Sequence, residues 1–457
     1  MENRKMYLYL ITFVAAMGGL LFGYDWVVIG GAKPFYEVFF GITDSASAQG
    51  WVMGSAVLGC LIGVMFSGYL SDRYGRKPMM YAASVVFVIS AIGTGATDSL
   101  TSFIIYRVLG GIGIGIASNV SPMYIAESAP ANIRGRLVSV NQLTIVIGIL
   151  AAQIVNWLIA EDVVPGEDIL ASWNGQMGWR WMFWAEAVPA VMFFLLLFAL
   201  PESPRWLSSK SKFVEAEKVL AQIGGSSYAD KEIENLKNSL SSEKEKTNYS
   251  LLFKGRMPQI LMVGVVIAIF QQWCGINVIF NYAQEVFSAA GYGVSGIMFN
   301  IVITGITNVI FTFVGMYTVD KLGRRIMMIV GASGLAVIYT LMGACYYFNI
   351  SGLTVLILVM LAIACFAMTL APVTWVLISE IFPTRVRGAA VAISTFALWA
   401  ACFVLTYTFP LLNEELGAHG TFWLYGGICV LGLLFIRSYL VETKGKSLEE
   451  IEKEFTK

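Results

Sequence analysis

The sequence predicts an all-α membrane protein: twelve transmembrane helices in two pseudo-symmetric six-helix bundles, with a small cytoplasmic helical cap. Three observations carry that reading. Of 457 residues, 57% are hydrophobic and only 13% are charged, too apolar for a soluble chain of this size. Apolar runs of about twenty residues recur, the length that crosses a hydrocarbon core of roughly 30 Å. Charged motifs also occur twice in the same order, once in each half.

The apolar runs place helices near 7–30, 48–71, 78–97, 101–123, 137–159 and 179–200, then 258–287, 295–319, 326–347, 354–379, 388–411 and 420–440. No small-residue cleavage site follows the first segment, which is therefore read as a helix and not a signal peptide. The resulting divisions are an N-terminal bundle (1–200), a polar linker with short helices (201–257), a C-terminal bundle (258–441) and a cytoplasmic C-terminal segment (442–457). The linker carries charged, helix-prone runs from Phe213 to Ile223 and from Ala229 to Leu240, and no nucleotide or nucleophile motif. With both termini inside, every Lys and Arg of the 30 falls in cytoplasmic loops or tails except Lys33, Arg107 and Arg180. The external loop 160–178 is acidic instead, through Glu161, Asp162, Glu167 and Asp168, as the positive-inside rule requires.

The seventh segment contains Phe270 to Tyr282, FQQWCGINVIFNY, flanked by apolar sequence. A helix from Ile260 to Phe287 would rise about 42 Å, more than a membrane needs. Its middle carries Gln271, Gln272, Asn277 and Asn281, amides that are costly in hydrocarbon unless they find partners. On one straight helix these four spread over more than half the circumference, so a break near Gly275 is needed for them to converge on one cavity. Interhelical bonding would need only one or two amides; four point to a polar ligand.

The repeat follows the charges. Asp72-Arg-Tyr-Gly-Arg-Lys77 joins helices 2 and 3, and Asp320-Lys-Leu-Gly-Arg-Arg325 joins helices 8 and 9. Glu127 through Arg134-Gly135 ends helix 4, and Glu380 through Arg387-Gly388 ends helix 10 with the same step. Glu202-Ser203 follows helix 6 and Glu442-Thr443 follows helix 12. Two homologous bundles facing each other are the plan of transporters that rock around a midplane site. The gate charges are then Asp72, Arg73, Arg76, Glu127, Arg134, Asp320, Arg324, Arg325, Glu380 and Arg387, able to close the cytoplasmic ends through charge-assisted bonds or to act as fixed braces.

Asp25, Arg107 and Glu186 are ionisable residues inside helices 1, 4 and 6. Counted from the expected helix ends, all three sit roughly 8–10 Å below the external surface. Asp25 and Arg107 are natural partners, and a carboxylate whose partner and hydration change with conformation can load a proton on one side and release it on the other. The alternative is an ion pair that never titrates.

With these motifs, and with Gly23-Tyr24-Asp25, Pro122-Met-Tyr-Ile-Ala-Glu127, Gly178-Trp-Arg180, Pro201-Glu-Ser-Pro-Arg-Trp-Leu207, Gln271-Gln272…Gly275-Ile-Asn277, Pro372…Trp375 and Glu442-Thr-Lys-Gly445, the chain resembles sugar porters of the major facilitator superfamily over essentially its whole length. Within them it looks most like bacterial proton–xylose symporters. The resemblance implies a major facilitator fold and proton-coupled symport of a monosaccharide, a pentose such as xylose or arabinose or a hexose. Passive facilitation and sugar sensing are the alternatives; no enzyme activity or catalytic residue is expected. It implies that Gln142, Gln271, Gln272, Asn277 and Asn308 bond the sugar hydroxyls and that Phe22, Trp375 and Trp399 wall the site. Amides both donate and accept, which suits hydroxyls, and indole faces cover sugar C–H surface. It also implies that Asp25, Arg107 and Glu186 couple the proton, since similar passive facilitators carry asparagine where Asp25 stands. Departures are Asn281-Tyr282 for a tyrosine pair, Ala371 for glycine, Leu398 for an amide and Val441 for proline; the first three bear on sugar preference. The expected partners are a monosaccharide, a proton and membrane lipid. No nucleic acid, cofactor or metal is expected, since the single histidine, His419, and unpaired cysteines give a metal little to bind. The chain is read as a monomer in a bacterial cytoplasmic membrane.

Overall fold

A computed structural model describes residues 2–130, 133–163, 168–242, 255–382 and 386–443. Among these residues the regular structure is helical throughout. Helices α1 (Glu2–Phe40), α2 (Ala46–Tyr74), α3 (Arg76–Ala96), α4 (Leu100–Ser128), α5 (Arg134–Ile159) and α6 (Trp179–Leu196) come first. The linker folds as α7 (Pro204–Ser209), α8 (Phe213–Gly224) and α9 (Ser226–Ser242). Then come α10 (Met257–Trp273), α11 (Ile276–Asn281), α12 (Ala283–Ala289), α13 (Val294–Leu322), α14 (Arg324–Tyr347), α15 (Leu353–Met368), α16 (Leu370–Glu380) and α17 (Arg387–Tyr439).

Among the described residues, 11 helical stretches are long and apolar enough to cross a membrane. The last is two helices merged across Gly417, whose φ of 67° and ψ of 173° are not helical. Apolar side chains face outward at helical spacing: Ile310 and Phe313 on α13, Val337 and Leu341 on α14, Leu431 and Leu434 on α17 are all exposed. Such outward stripes suit a lipid solvent, where the hydrophobic effect no longer drives them inward.

Several helix limits differ from expectation. Helix α1 continues to Phe40 through Pro34, so Asp25 stands about fifteen residues, roughly 22 Å, from its end. The helix end expected near residue 30, from which the depth of Asp25 is counted, is absent: Lys33 and Pro34 lie within α1, and Lys33 is buried there. The expected loop after residue 411 is helical up to the Gly417 kink. In the linker, α7 was not foreseen; it starts on Ser203, whose hydroxyl accepts from the Trp206 N–H, with Pro204 in the first turn.

Contacts divide the chain into two units. The first comprises Met1–Trp26, Leu58–Ala152 and Arg180–Lys246; the second comprises Val27–Val57, Gln153–Trp179 and Thr247–Lys457. The boundaries run inside α1, α2 and α5 and after the first residue of α6. Within the first unit, the Thr144 hydroxyl donates to the Ala16 carbonyl at 2.8 Å, tying α5 to α1. Within the second, the later part of α1 meets α5 through Asn156, whose amide donates to the Val28 carbonyl at 3.0 Å. There Trp51 of α2 packs edge-on against Phe403 and Tyr407 of α17, with centroids 6.2 and 6.4 Å apart.

Candidate functional site

The seventh segment breaks where its amides require. Gly275 takes a left-handed conformation (φ 88°, ψ −1°) between α10 and α11, and a Cβ there would lie 2.8 Å from the Tyr425 ring. Only glycine meets both demands cheaply. At the end of α10 Gln272 donates to Gln271 Oε1 at 2.6 Å, and across the break Asn277 donates to Gln272 Oε1. The Asn277 amide also reaches Cys402 Sγ of α17 at 3.7 Å. Gln271 and Gln272 are buried and Asn277 is half-buried, so a chain of amides runs from α10 to α11 within the second unit. A second break, unexpected from sequence, falls at Tyr282 (φ −122°, ψ 31°) and starts α12.

The other expected sugar residues are distributed unevenly. In the second unit, Asn308 on α13 and Trp399 on α17 are buried, whereas Trp375 on α16 is 40% exposed. Helix α16 begins after a break at Thr369 (φ −119°, ψ −82°), which puts Pro372 in its first turn, where the missing N–H costs nothing. Phe22 and Gln142 belong to the first unit and are half-buried. Phe22 stands edge-on to Trp26, centroids 6.2 Å apart. Within the second unit, hydrogen bonds joining Asn308 or Trp375 to the amide chain are not among those of the described residues.

In the first unit, Asp25 and Arg107 form a buried ion pair: Arg107 Nη1 donates to Asp25 Oδ1 and Nη2 to the Asp25 carbonyl at 3.3 Å. Gly110, one turn beyond Arg107, makes room, since a Cβ there would lie 2.7 Å from Asp25 Oδ2. The guanidinium also lies 5.6 Å from the centre of the Phe183 ring on α6. Glu186 on α6 is buried within electrostatic reach of both partners. Asp25 Oδ2, Arg107 Nε and Glu186 Oε1 are buried without a hydrogen-bond partner among the described residues. Two carboxylates therefore face one guanidinium in the interior of the first unit.

The repeated charge motifs build the same cradle twice. In the first unit, Arg76 forks onto Glu127 at 2.9 and 2.8 Å and reaches Asp72 at 2.9 Å. Glu202 accepts from the backbone N–H groups of Arg76 and Lys77 at 3.0 and 3.2 Å, and Ser203 donates to Glu127 at 2.5 Å. In the second unit, Arg324 reaches Glu380 at 3.2 Å, Glu442 accepts from the N–H groups of Arg324 and Arg325 at 2.9 and 3.0 Å, and Thr443 donates to Glu380 at 2.6 Å. Gly75 (φ 110°) and Gly323 (φ 93°) turn the chain just before each helix start, where a Cβ would strike the Glu202 or Glu442 carboxylate. A carboxylate at a helix N-terminus meets unpaired N–H groups and the positive end of the dipole. Burial raises the Glu202 carboxyl above the usual range, against the pull of these N–H groups and of Arg76. Arg73 instead reaches the Tyr69 hydroxyl at 3.3 Å, Arg325 reaches the Arg437 carbonyl at 2.8 Å, and Arg134 is exposed at the start of α5. The side chains of Asp320 and Arg387 lie outside those described, as does Glu167 of the acidic loop.

The family described as "Sugar (and other) transporter" matches residues 11–455. The chain belongs to this sugar transporter family. The D-xylose-proton symporter of Escherichia coli (strain K12) is 41% identical to it, over 99% of this chain and 96% of that one. The arabinose-proton symporter of Bacillus subtilis (strain 168) is 38% identical, over 97% and 94%. The structure resembles the inward-open conformation of the xylose transporter XylE from E. coli, with a TM-score of 0.85 and 38% identity over 98% of this chain and 99% of that one. The sugar transporter is thus an integral membrane protein with the major facilitator fold.

Sequence reasoning missed one group. Lys33, counted only as an external basic residue, is buried in α1 of the second unit beside Glu37 and Glu285. The signal was present: Lys33 and Glu37 are four residues apart, and Glu285 is the one charge in the apolar run after the Asn-Tyr pair.

Proposed function

We propose that this protein is a proton-coupled symporter of a monosaccharide, a pentose or a hexose, working by alternating access. The observation that carries the reading is the buried Asp25–Arg107 pair with Glu186 beside it, an arrangement that passive passage of a neutral sugar does not need. In this reading Gln142, Gln271, Gln272, Asn277 and Asn308 exchange hydrogen bonds with sugar hydroxyls, and Phe22, Trp375 and Trp399 cover its C–H faces. Residues 1–200 and 258–441 act as the two rocking bundles, joined by 201–257 and followed by 442–457, with both termini cytoplasmic. The charged cradles on the cytoplasmic side brace each bundle as it moves. Proton uptake at the Asp25 group releases Arg107 and permits closure over the sugar, so that proton and sugar cross together. The working form is a monomer in lipid of a bacterial cytoplasmic membrane.

The test is uptake into proteoliposomes of labelled monosaccharides, pentoses and hexoses, with and without an imposed pH gradient. One sugar should accumulate above equilibrium only with the gradient, and Asp25→Asn should abolish accumulation while equilibrium exchange persists. Accumulation by Asp25→Asn would transfer the coupling role elsewhere; no accumulation by the parent would overturn symport.

A further inference from the structure

An asparagine side chain has two N–H donors and one carbonyl acceptor, and at Asn277 both donors are spent. The amide nitrogen gives to Gln272 Oε1 of α10 and to Cys402 Sγ of α17, the latter at 3.7 Å. Asn277 Oδ1 accepts from no group among the described residues. The opposite end of the chain has the opposite sense. Gln271 accepts through Oε1 at 2.6 Å, and its own N–H donors are unbonded among the described residues. The three amides thus run head to tail, with donors open at Gln271 and an acceptor open at the half-buried Asn277. None of them can turn over alone. The carbonyl oxygen of a reversed Asn277 amide would meet Gln272 Oε1, and two acceptors repel.

Helix α17 holds the broken seventh segment at three points. Trp273 Nε1 donates to the Ala401 carbonyl at 2.9 Å, Asn277 donates to Cys402 Sγ, and the Tyr282 hydroxyl donates to the Thr406 carbonyl at 2.6 Å. The first and last are bonds to backbone carbonyls; they fix α17 beside both breaks of the segment and keep the sulfur facing Asn277. Leu398, one turn before Cys402, is buried and has no polar group to occupy Asn277 Oδ1. We infer that Cys402 is a positioning residue of the sugar site. With Gln272 it holds Asn277 so that its carbonyl, and not its N–H, meets the ligand. Asn277 then reads a sugar hydroxyl as a donor. The ligand is a neutral polyol with one position at which a free O–H is obligatory, because a substituent that cannot donate leaves the carbonyl unpaired. The role of Cys402 rests on the proposed sugar site and gives its amides a direction.

The experiment measures dissociation constants by titration calorimetry on the full-length protein in detergent micelles. The ligands are D-xylose, L-arabinose and D-glucose, each with its monodeoxy and monodeoxyfluoro analogues; fluorine accepts weakly and never donates. At the hydroxyl that Asn277 reads, the deoxy and fluoro analogues should both bind at least about tenfold more weakly than the unmodified sugar, and to a similar degree. Asn277→Ala should erase that penalty. Cys402→Ala lets the Asn277 amide turn and should shrink the penalty severalfold, a change of selectivity that lost packing alone does not produce. Cys402 loses this role if fluorine outbinds hydrogen at every position of the sugar, if the penalty survives Asn277→Ala, or if Cys402→Ala keeps it in full. The first of these is read on the parent protein and decides the matter where a variant does not fold. Binding of none of the sugars overturns the proposed sugar site as well, whereas sugar binding without the donor pattern overturns the role of Cys402 and leaves the site standing.

Discussion

At the residue scale, Gln272 is the hinge of the amide chain, donating to Gln271 and accepting from Asn277. Gln272→Ala removes both bonds and strands the buried amide of Gln271 and the half-buried one of Asn277. Sugar binding should weaken by about 1–3 kcal/mol, the cost of leaving buried polar groups unpaired. Titration calorimetry of the folded variant checks this, and an unchanged affinity removes Gln272 from the site. The chain of amides was legible in the sequence because polar side chains at membrane depth need partners, and residue type alone announces that need. The Lys33 cluster was not legible in the same way. Its ammonium is satisfied by Glu285, 252 residues away, and no local pattern names a partner at that distance.

At the element scale, the kink at Gly275 sets where Asn277 points. Gly275→Ala forces a side chain into a left-handed backbone, about 1–2 kcal/mol by itself, and presses a Cβ on the Tyr425 ring. The variant should melt at lower temperature and bind sugar more weakly than the Gln272→Ala protein loses by truncation alone. Equal melting and binding in Gly275→Ala and parent would mean that the break is dispensable. This kink could be expected, since four amides on a straight helix cannot converge. The break at Tyr282 and the extension of α1 to Phe40 could not, because both depend on tertiary contacts: Tyr282 is anchored to Thr406, and the later turns of α1 are held by Asn156 and Glu285.

At the scale of the whole molecule, the two charge cradles are one design used twice, each closed within its own unit. Glu202→Ala and Glu442→Ala each remove a helix-start carboxylate and should each destabilise by about 1–2 kcal/mol, as lost caps do. Because Glu202 and Glu442 belong to different units, the double variant should show the sum of the single effects to within about 0.5 kcal/mol. Thermal or denaturant melts of the four proteins test it, and a clear departure from additivity would mean that the cradles are energetically one. The repetition of the motifs forecast the duplication; that each cradle rests on a glycine at positive φ facing a half-buried carboxylate emerged only from the fold. The span between Lys33 and Glu285 also has a consequence for biogenesis. At a ribosomal rate of about 5–20 residues per second, Glu285 leaves the exit tunnel roughly 10–50 s after Lys33. During that interval the nascent first helix carries an ammonium into the insertion machinery, and Glu37, one turn further along the same helix, is the counter-ion that escorts it.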